Sequence, residues 1–294
     1  MAARAIASPF VRDLSEVVLG DLAHLGRKAA NLGELTGAGF PIPPGFAIES
    51  NAFVAFVEET GLREDLDSTA AEIRTAIETT PIPVELRAAI LERYRELQGG
   101  CEPAIVAVRS STAAAAPHGE TFLCVRQIEA VLHAVRGCWA SLLSPHAIPE
   151  HDEPVAVVIQ QQIDATRSGV IVTTDRQHDE GLLLVEAAYG LGESVLQGLV
   201  SPDVFTVDSE TLRILAREVH YKATLIEQAP PDGGTRRRPV IGPQASCPAL
   251  LDREVRTLAT LGKRIEEHYG TPQIVEWALD RDGHAWLLQS GALA

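Results

Sequence analysis

The sequence predicts an α+β protein with two lobes, because helical patterns dominate its first half and strand patterns its second half. Apolar residues recur at helical spacing in several segments of the first half, among them residues 51–61, 69–79, 84–98 and 127–143. After an acidic, proline-containing stretch, the pattern changes at residue 155 to a series of short apolar runs typical of strands. We therefore expect an N-terminal lobe over residues 1–150 and a C-terminal lobe over residues 151–294.

The composition describes an acidic globular chain. Its 294 residues include 25 Lys and Arg against 40 Asp and Glu, and the net charge is −15. Nucleic-acid binding needs clustered cations, so we expect no nucleic-acid partner. The one basic run, residues 236–238, lies among Pro, Gly and Asp and is predicted to be a solvated loop.

The four cysteines show no CxxC spacing, which argues against a zinc site and a disulfide framework. The first ten residues lack the apolar core of a signal peptide, and no stretch is long and apolar enough to cross a membrane. We therefore expect a cytoplasmic protein that does not interact with membranes.

A short helix is predicted over residues 26–35, where Ala29, Leu32 and Leu35 recur at helical spacing. Lys28 falls in its first turn, where unpaired N–H groups and the helix dipole favour an anion. Because the dipole disfavours a lysine there, Lys28 either accompanies a bound anion or is simply exposed.

A buried strand is predicted over residues 105–109, and it ends in Arg109 followed by Ser110 and Ser111. The guanidinium fork matches phosphate oxygens, so Arg109 is a candidate phosphate clamp. A structural salt bridge is the alternative. Four strands are expected after residue 150, followed by one long helix, over residues 155–160, 169–174, 182–187, 204–208 and 249–268.

The last part of the chain predicts a β-hairpin, with strands over residues 273–279 and 284–289. Asp282-Gly283 is typical of a two-residue type I′ turn, which would pair Arg281 with His284. Counting back along both strands places Glu276 opposite Gln289. A carboxylate and an amide oxygen on one sheet face could share Mg²⁺, or they could be an ordinary polar pair on a solvated face.

Motifs throughout the chain follow the order of one family: GRKAANL at 26–32, GFPIPPGF at 39–46, VRSS at 108–111, ETFL at 120–123, SGV at 168–170, GLGE at 190–193, SPD at 201–203, HYG at 268–270, VEWA at 275–278 and LQS at 288–290. The chain resembles the nucleotide-binding domain of phosphoenolpyruvate synthase, pyruvate phosphate dikinase and rifampicin phosphotransferase. The resemblance implies an ATP-grasp fold of two α+β lobes, with ATP and Mg²⁺ in the cleft.

The resemblance also implies roles for individual residues. Lys28 and Arg109 would hold the ATP phosphates and supply the catalytic positive charge. Glu276 and Gln289 would bind the metal or the terminal phosphate. The strand end formed by Gln160, Gln161, Gln162 and Ile163 would run alongside the adenine, and its backbone would read the base edge. Glu186 matches an acidic position beside this adenine pocket.

The sequence departs from the family pattern at the phosphate end. The loop at residues 112–119 is shorter and alanine-rich. Ile274 stands where the family has Asp, and Gly291 stands where it has Arg. In the predicted register these two positions face each other, so an acid and a base have been lost together.

The family's phosphohistidine and acceptor domains are absent from this sequence. A partner chain could supply them, or phosphate could pass directly to a small-molecule acceptor. We expect an ATP- and Mg²⁺-dependent phosphotransferase. The alternatives are a catalytically impaired nucleotide-binding module working with a partner chain, and a ligase that activates a carboxylate.

Overall fold

The computed structural model describes residues 8–62, 69–98, 103–113, 119–141, 155–174, 181–229 and 233–293. Its contacts divide the chain into two compact units. Unit 1 comprises Met1–Phe40, Pro44–Gln162 and Pro231–Gly234, and unit 2 comprises Pro41–Pro43, Ile163–Pro230 and Thr235–Ala294. Both contain helices and sheets, which confirms the α+β class, whereas the predicted boundary at residue 150 lies outside the described residues.

Unit 1 is built on a five-stranded antiparallel sheet of order β1-β2-β5-β3-β4. Its strands are β1 (Val11–Asp13), β2 (Gly45–Ile48), β3 (Ile105–Ser111), β4 (Thr121–Arg126) and β5 (Ala156–Gln161). Its helices are α1 (Leu22–Gly37), α2 (Ser50–Thr60), α3 (Ala70–Thr79), α4 (Val84–Glu96) and α5 (Ile128–Ser141). In its core Trp139 of α5 packs on Phe53 and Phe56 of α2, with ring centroids 5.5 and 5.1 Å apart.

Strand β5 belongs to unit 1, although the sequence-based boundary assigned it to the C-terminal lobe. It lies between β2 and β3, and its residues from Ala156 to Gln160 are all buried. A strand buried on both faces needs partners on both edges and cover on both sides. The centre of the five-stranded sheet provides both the partners and the cover. The local sequence of β5 does not show that its partners are β2 and β3.

Unit 2 is built on a six-stranded antiparallel sheet of order β13-β12-β6-β7-β8-β9. These strands are β6 (Arg167–Val172), β7 (Leu182–Tyr189), β8 (Asp203–Asp208), β9 (Ile214–Glu218), β12 (Gln273–Leu279) and β13 (Ala285–Ala292). A separate two-stranded hairpin pairs β10 (Thr224–Gln228) with β11 (Thr235–Pro239). The helices of unit 2 are α6 (Glu193–Leu196) and α7 (Asp252–Tyr269). The basic run at 236–238 is strand β11, so its prediction as a loop is wrong.

Helix α7 covers one face of the six-stranded sheet. A Cβ on Gly262 of α7 would lie 2.7 Å from Ile171, which shows how closely the helix approaches β6. Ile171 pairs with Val185 and Val275, and all three side chains are fully buried on this face. Side chains alternate along strands, so the neighbouring residues point to the opposite face, which is partly exposed. Among the described residues, no helix combines the length and apolar character needed to cross a bilayer.

Candidate functional site

Lys28 lies in the first turn of a helical segment that starts at Gly26. Gly26 interrupts α1 with φ 71° and ψ 172°, so helical geometry begins anew after it. A Cβ at Gly26 would lie 2.5 Å from the backbone carbon of Ser111. Only glycine combines this positive φ with so close an approach. The sequence-based placement of Lys28 in a first turn is confirmed.

Ser111 ties this turn to the end of β3. Its hydroxyl donates to the carbonyl oxygen of Leu25 at 2.6 Å and accepts from the amide of Ala29 at 3.1 Å. The amide of Arg27 also donates to the carbonyl oxygen of Thr112, at 2.8 Å. The Ser111 side chain, which comes from β3, therefore caps the start of this helical segment as an N-cap side chain would.

Arg109 is on the same face of β3 as Ser111, because the two residues are separated by one position in a strand. The Gly26 turn is attached at this face through Ser111. The two cations that the sequence selected independently therefore belong to one corner of unit 1.

The strand end at residues 160–163 is firmly bonded within the chain. Gln160 is buried, and the amides of Gln161 and Gln162 donate to the carbonyl oxygens of Pro44 and Ile105, both at 2.8 Å. These two N–H groups are therefore not available to read a base edge. If the backbone of residues 160–163 contacts the adenine, it has to do so through its other N–H or C=O groups.

The side chain of Gln162 is held as well. Its Oε1 accepts from the amide of Cys124 at 3.4 Å. Cys124 has a φ of 55°, an unusual conformation for a residue with a side chain. Ile163, at the start of the next segment of unit 2, is buried.

A polar row crosses the partly exposed face of the sheet in unit 2. Gln289 pairs with Glu276, Glu276 with Val170, and Val170 with Glu186. Residues paired directly across strands share a face, so all three polar side chains point to the same side. Burial raises the pKa of Glu186 above its ordinary value. Sequence reasoning selected each residue but missed the row, because the register of β6 and β7 depends on contacts distant in sequence.

The predicted pairing of Glu276 with Gln289 is confirmed, but the predicted turn is wrong. The hairpin closes with a three-residue loop over 281–283, where the amide of Asp280 donates to His284 O at 3.1 Å and Gly283 has φ 83°. Trp277 pairs with Leu287, so Leu288 is an extra residue on β13. The longer loop and this bulge each shift the register by one residue in opposite directions, and the two shifts cancel at Glu276.

Asp280 organises the loop. Its carboxylate accepts from the amides of Asp282 and His284 at 2.9 and 2.8 Å and from Trp286 Nε1 at 3.0 Å. Partial burial acts to raise the pKa of Asp280, but these hydrogen bonds prevail and lower it. This local role could have been inferred from an Asp preceding an Asp-Gly turn.

Ile274 and Gly291 face each other directly, as the sequence predicts. Ile274 is 39% exposed, and a Cβ on Gly291 would meet no atom within 4 Å. The space beside Gly291 is therefore open in unit 2. Of the shortened loop at 112–119, residues 114–118 lie outside the described part of the chain.

Comparison with known proteins places these features in a family. Residues 22–292 match the family described as pyruvate phosphate dikinase, AMP/ATP-binding domain. The chain belongs to this family. Membership agrees with the ATP-grasp fold that the resemblance implied, and the family is one of AMP/ATP-binding domains.

The similar proteins are longer than this chain. It is 36% identical to a probable phosphoenolpyruvate synthase of Methanothermobacter thermautotrophicus, over 96% of this chain and 45% of that protein. It is 34% identical to a rifampicin phosphotransferase of Streptomyces sp, over 93% of this chain and 35% of that protein. The chain thus spans less than half the length of these relatives.

Proposed function

We propose that the chain binds ATP together with Mg²⁺ and transfers the terminal phosphoryl group to a small-molecule acceptor. The observation that carries this proposal is the attachment of the Gly26 turn to the end of β3 through Ser111. It supports a shared role for Lys28 and Arg109, because two cations in one corner suit an anion with several oxygens. Family membership makes ATP the anion to test.

In this proposal Lys28 and Arg109 bind the phosphates and neutralise charge as it develops, which is the main protein contribution in phosphoryl transfer. Residues 160–163 lie along the adenine. Glu186 lies beside it on the partly exposed face of the unit 2 sheet.

The residues of the hairpin suit Mg²⁺. Glu276 offers a carboxylate and Gln289 an amide oxygen from directly paired positions, and hard cations prefer such oxygen donors. Bound there, Mg²⁺ would neutralise phosphate charge and orient the oxygens of the nucleotide.

In the proposed reaction the bond between the terminal phosphorus and the ADP oxygen breaks. A bond forms between that phosphorus and the acceptor oxygen, whose proton is released. This acceptor is a free small molecule. Alternatively, the phosphate passes first to a partner chain that carries the histidine or acceptor domain; on a histidine the new bond joins the phosphorus to a ring nitrogen, which loses its proton. The second route accords with the greater length of the relatives.

One observation favours a second candidate, a nucleotide-binding module with little turnover of its own. Ile274 and Gly291 face each other where the family carries an acid and a base. Loss of both charges leaves neither stranded, so the substitution is compatible with a stable fold. Product analysis separates the candidates: ADP with a phosphorylated acceptor supports the first, and bound but unconverted ATP supports the second.

Calorimetric titration with ATP tests the proposed phosphate site at Lys28 and Arg109, here called the phosphate corner. Each charge-assisted hydrogen bond contributes about 1.5–3 kcal/mol. We therefore expect Lys28→Ala or Arg109→Ala to weaken ATP binding about tenfold or more. Lys263→Ala and Arg253→Ala on α7 are matched controls and should leave the affinity unchanged. Unchanged affinity in both Lys28→Ala and Arg109→Ala would exclude the phosphate corner.

A further inference from the structure

Unit 2 contains a charged cavity of about 480 Å³, a volume within the range of small-molecule sites. One wall is the β10–β11 hairpin, and the other walls come from residues 164–166, the end of β7 and the loop of the β12–β13 hairpin. None of the lining residues is among those proposed above for ATP or Mg²⁺.

The register of the β10–β11 hairpin divides the basic run between two faces. Arg236 pairs with Glu227 and Arg238 with Leu225, and these four residues share one face because side chains alternate. All four line the cavity, whereas Arg237, which pairs with Ile226, does not. Two of the three consecutive arginines are therefore directed into one small space.

The cavity holds more positive than negative groups. Three guanidinium groups, those of Arg236, Arg238 and Arg281, line it together with two carboxylates, those of Glu227 and Asp164. The whole chain shows the opposite balance, with 25 basic and 40 acidic residues. A local excess of cations in an acidic protein attracts anions to that place.

The carboxylates leave donors for a further anion. Glu227 accepts from Nε of both Arg236 and Arg238, at 3.0 and 2.9 Å, and Asp164 accepts from Nε of Arg281 at 2.5 Å. Among the described residues, the side-chain hydrogen bonds of Arg238 and Arg281 to carboxylates use Nε. A guanidinium carries five N–H donors, so their terminal nitrogens can still form a fork for oxygens.

The existing ion pairs are weak competitors for such a ligand. Side-chain exposure is 76% for Arg281 and 51% for Asp164. Exposed pairs of this kind contribute little to stability, so an incoming anion can compete for Arg281 at small cost.

Part of the cavity lining is held by hydrogen bonds and lies near a buried ion pair. The hydroxyl of Tyr189 lies 3.1 Å from the carbonyl oxygen of Gln244, and both residues line the cavity. Lys222 Nζ lies 5.6 Å from the centroid of the Tyr189 ring and pairs with Asp203, with both side chains fully buried. A buried, fully paired charge fixes the segments that carry it, so this part of the lining is built in advance.

We propose that this cavity is a second small-molecule site that binds an anion bearing a phosphate or carboxylate group through Arg238 and Arg281. The charge excess supplies the attraction, and the two guanidinium forks supply the geometry.

Titration of the full chain with inorganic phosphate, and separately with citrate, tests the proposal by amide chemical shifts in nuclear magnetic resonance spectra. We expect shifts at cavity residues such as Thr166, Gly190 and Gln228. The double variant Arg238→Gln, Arg281→Gln should weaken binding about tenfold or more. Arg253→Gln, an exposed α7 control, should not change it. The stronger of the two probes identifies which oxygen acid the cavity prefers.

Asp164→Asn gives a result of opposite sign. It removes the carboxylate that competes for Arg281 and should tighten binding, so the test does not depend on a loss of affinity alone. In a Lys28→Ala, Arg109→Ala background, which lacks the cations proposed for ATP, cavity binding should persist. Failure of the ATP proposal would therefore leave this result unaffected. Absence of cavity shifts with both probes, or shifts insensitive to Arg238 and Arg281, would overturn the inference.

Discussion

A few residues decide the position of the proposed phosphate site. Gly26 permits the sharp turn before Lys28, and Ser111 holds that turn against β3. Neither residue carries charge, and the sequence pattern alone points to Lys28 and Arg109 instead. Charged residues can be selected from their spacing, whereas the residues that position them emerge only when two distant segments are seen together.

Ser111→Ala should disturb this arrangement. The substitution removes the acceptor for the amide of Ala29 and the donor to Leu25 in a buried place, which costs about 1–3 kcal/mol. We expect a lower denaturation midpoint and weaker ATP binding. Ser110→Ala, on the other face of β3, is the matched control and should retain the wild-type ATP affinity. Equal affinities for the Ser111→Ala variant and the wild type would show that the attachment does not position Lys28.

Glu186 predicts a pH dependence of stability. Burial raises its pKa in the folded state above the ordinary value of 4.5, so folding favours the protonated form. Its contribution to stability is complete below about pH 4.5 and is lost as the pH rises through the folded pKa. Glu186→Gln mimics the protonated form, so the variant should melt at a higher temperature than the wild type at pH 7.

Thermal melts at pH 4 and pH 7 test whether the stability difference between Glu186→Gln and the wild type changes with pH in the expected direction. The advantage of Glu186→Gln should be present at pH 7 and should shrink towards pH 4. Glu210→Gln changes an exposed carboxylate in the β8–β9 turn and should show no such trend. A variant no more stable than the wild type at pH 7 would contradict the burial argument.

At the scale of elements, the final hairpin shows how a correct register can follow from an incorrect turn. The sequence favours a two-residue turn, but the chain forms a three-residue loop and restores the register with a bulge at Leu288. Three-residue loops of this kind place a glycine in the left-handed region, as Gly283 does. Turn residues were therefore predictable, whereas the bulge was not.

Long, periodic elements were predictable because the pattern of apolar residues that buries them lies within a single segment. The stripe of α5 and the β-branched runs of β3 and β12 carry their burial pattern within one segment. Strands β9 and β11 were missed because few of their residues are buried, and β10 was missed because only two of its five residues are buried; their pairing decides that these strands form. The grouping of β5 with unit 1 could not be predicted from the local sequence, because two partners distant in sequence, β2 and β3, determine it.

Asp280 should be a main determinant of hairpin stability. Asp280→Ala removes the acceptor for two amides and for Trp286 Nε1, and we expect a loss of about 1–3 kcal/mol in the free energy of unfolding. The pKa of Asp280 is lowered in the folded state, so its contribution is present above about pH 4 and is lost as the pH falls through the folded pKa.

Urea denaturation at pH 7 and pH 3 measures this loss. The difference between the wild type and Asp280→Ala should be larger at pH 7 than at pH 3. Asp282→Ala, which retains the Asp280 carboxylate, is the control. A difference that does not depend on pH would assign the effect to packing and not to the charge.

At the scale of the whole molecule, each unit carries a different part of the proposed machinery. Unit 1 provides the cations Lys28 and Arg109, and unit 2 provides the paired oxygens of Glu276 and Gln289. Binding and turnover can therefore fail separately. Ground-state ATP binding depends on cations that are present, whereas a missing charge near the terminal phosphate affects mainly the rate.

Turnover should accordingly be slow in the chain alone. Loss of one charge clamp in phosphoryl transfer costs about 10³–10⁵ in rate. With Ile274 and Gly291 in place of an acid and a base, we expect ATP to bind but to be consumed far more slowly than the enzyme median of about 10 s⁻¹. Measured ATP consumption near that median, without an added acceptor, would contradict this expectation.

Restoring both charges provides the decisive comparison. The open space at Gly291 can accept an arginine side chain, and the partly exposed Ile274 position can accept a carboxylate. Ile274→Asp alone adds an unpaired acid beside the proposed phosphates, and Gly291→Arg alone adds an unpaired base. Because the two positions are directly opposite, the double variant forms a pair, and its effect on ATP consumption should exceed the sum of the single effects. Additive effects would show that the two positions act independently, and that their joint departure from the family pattern does not set the rate.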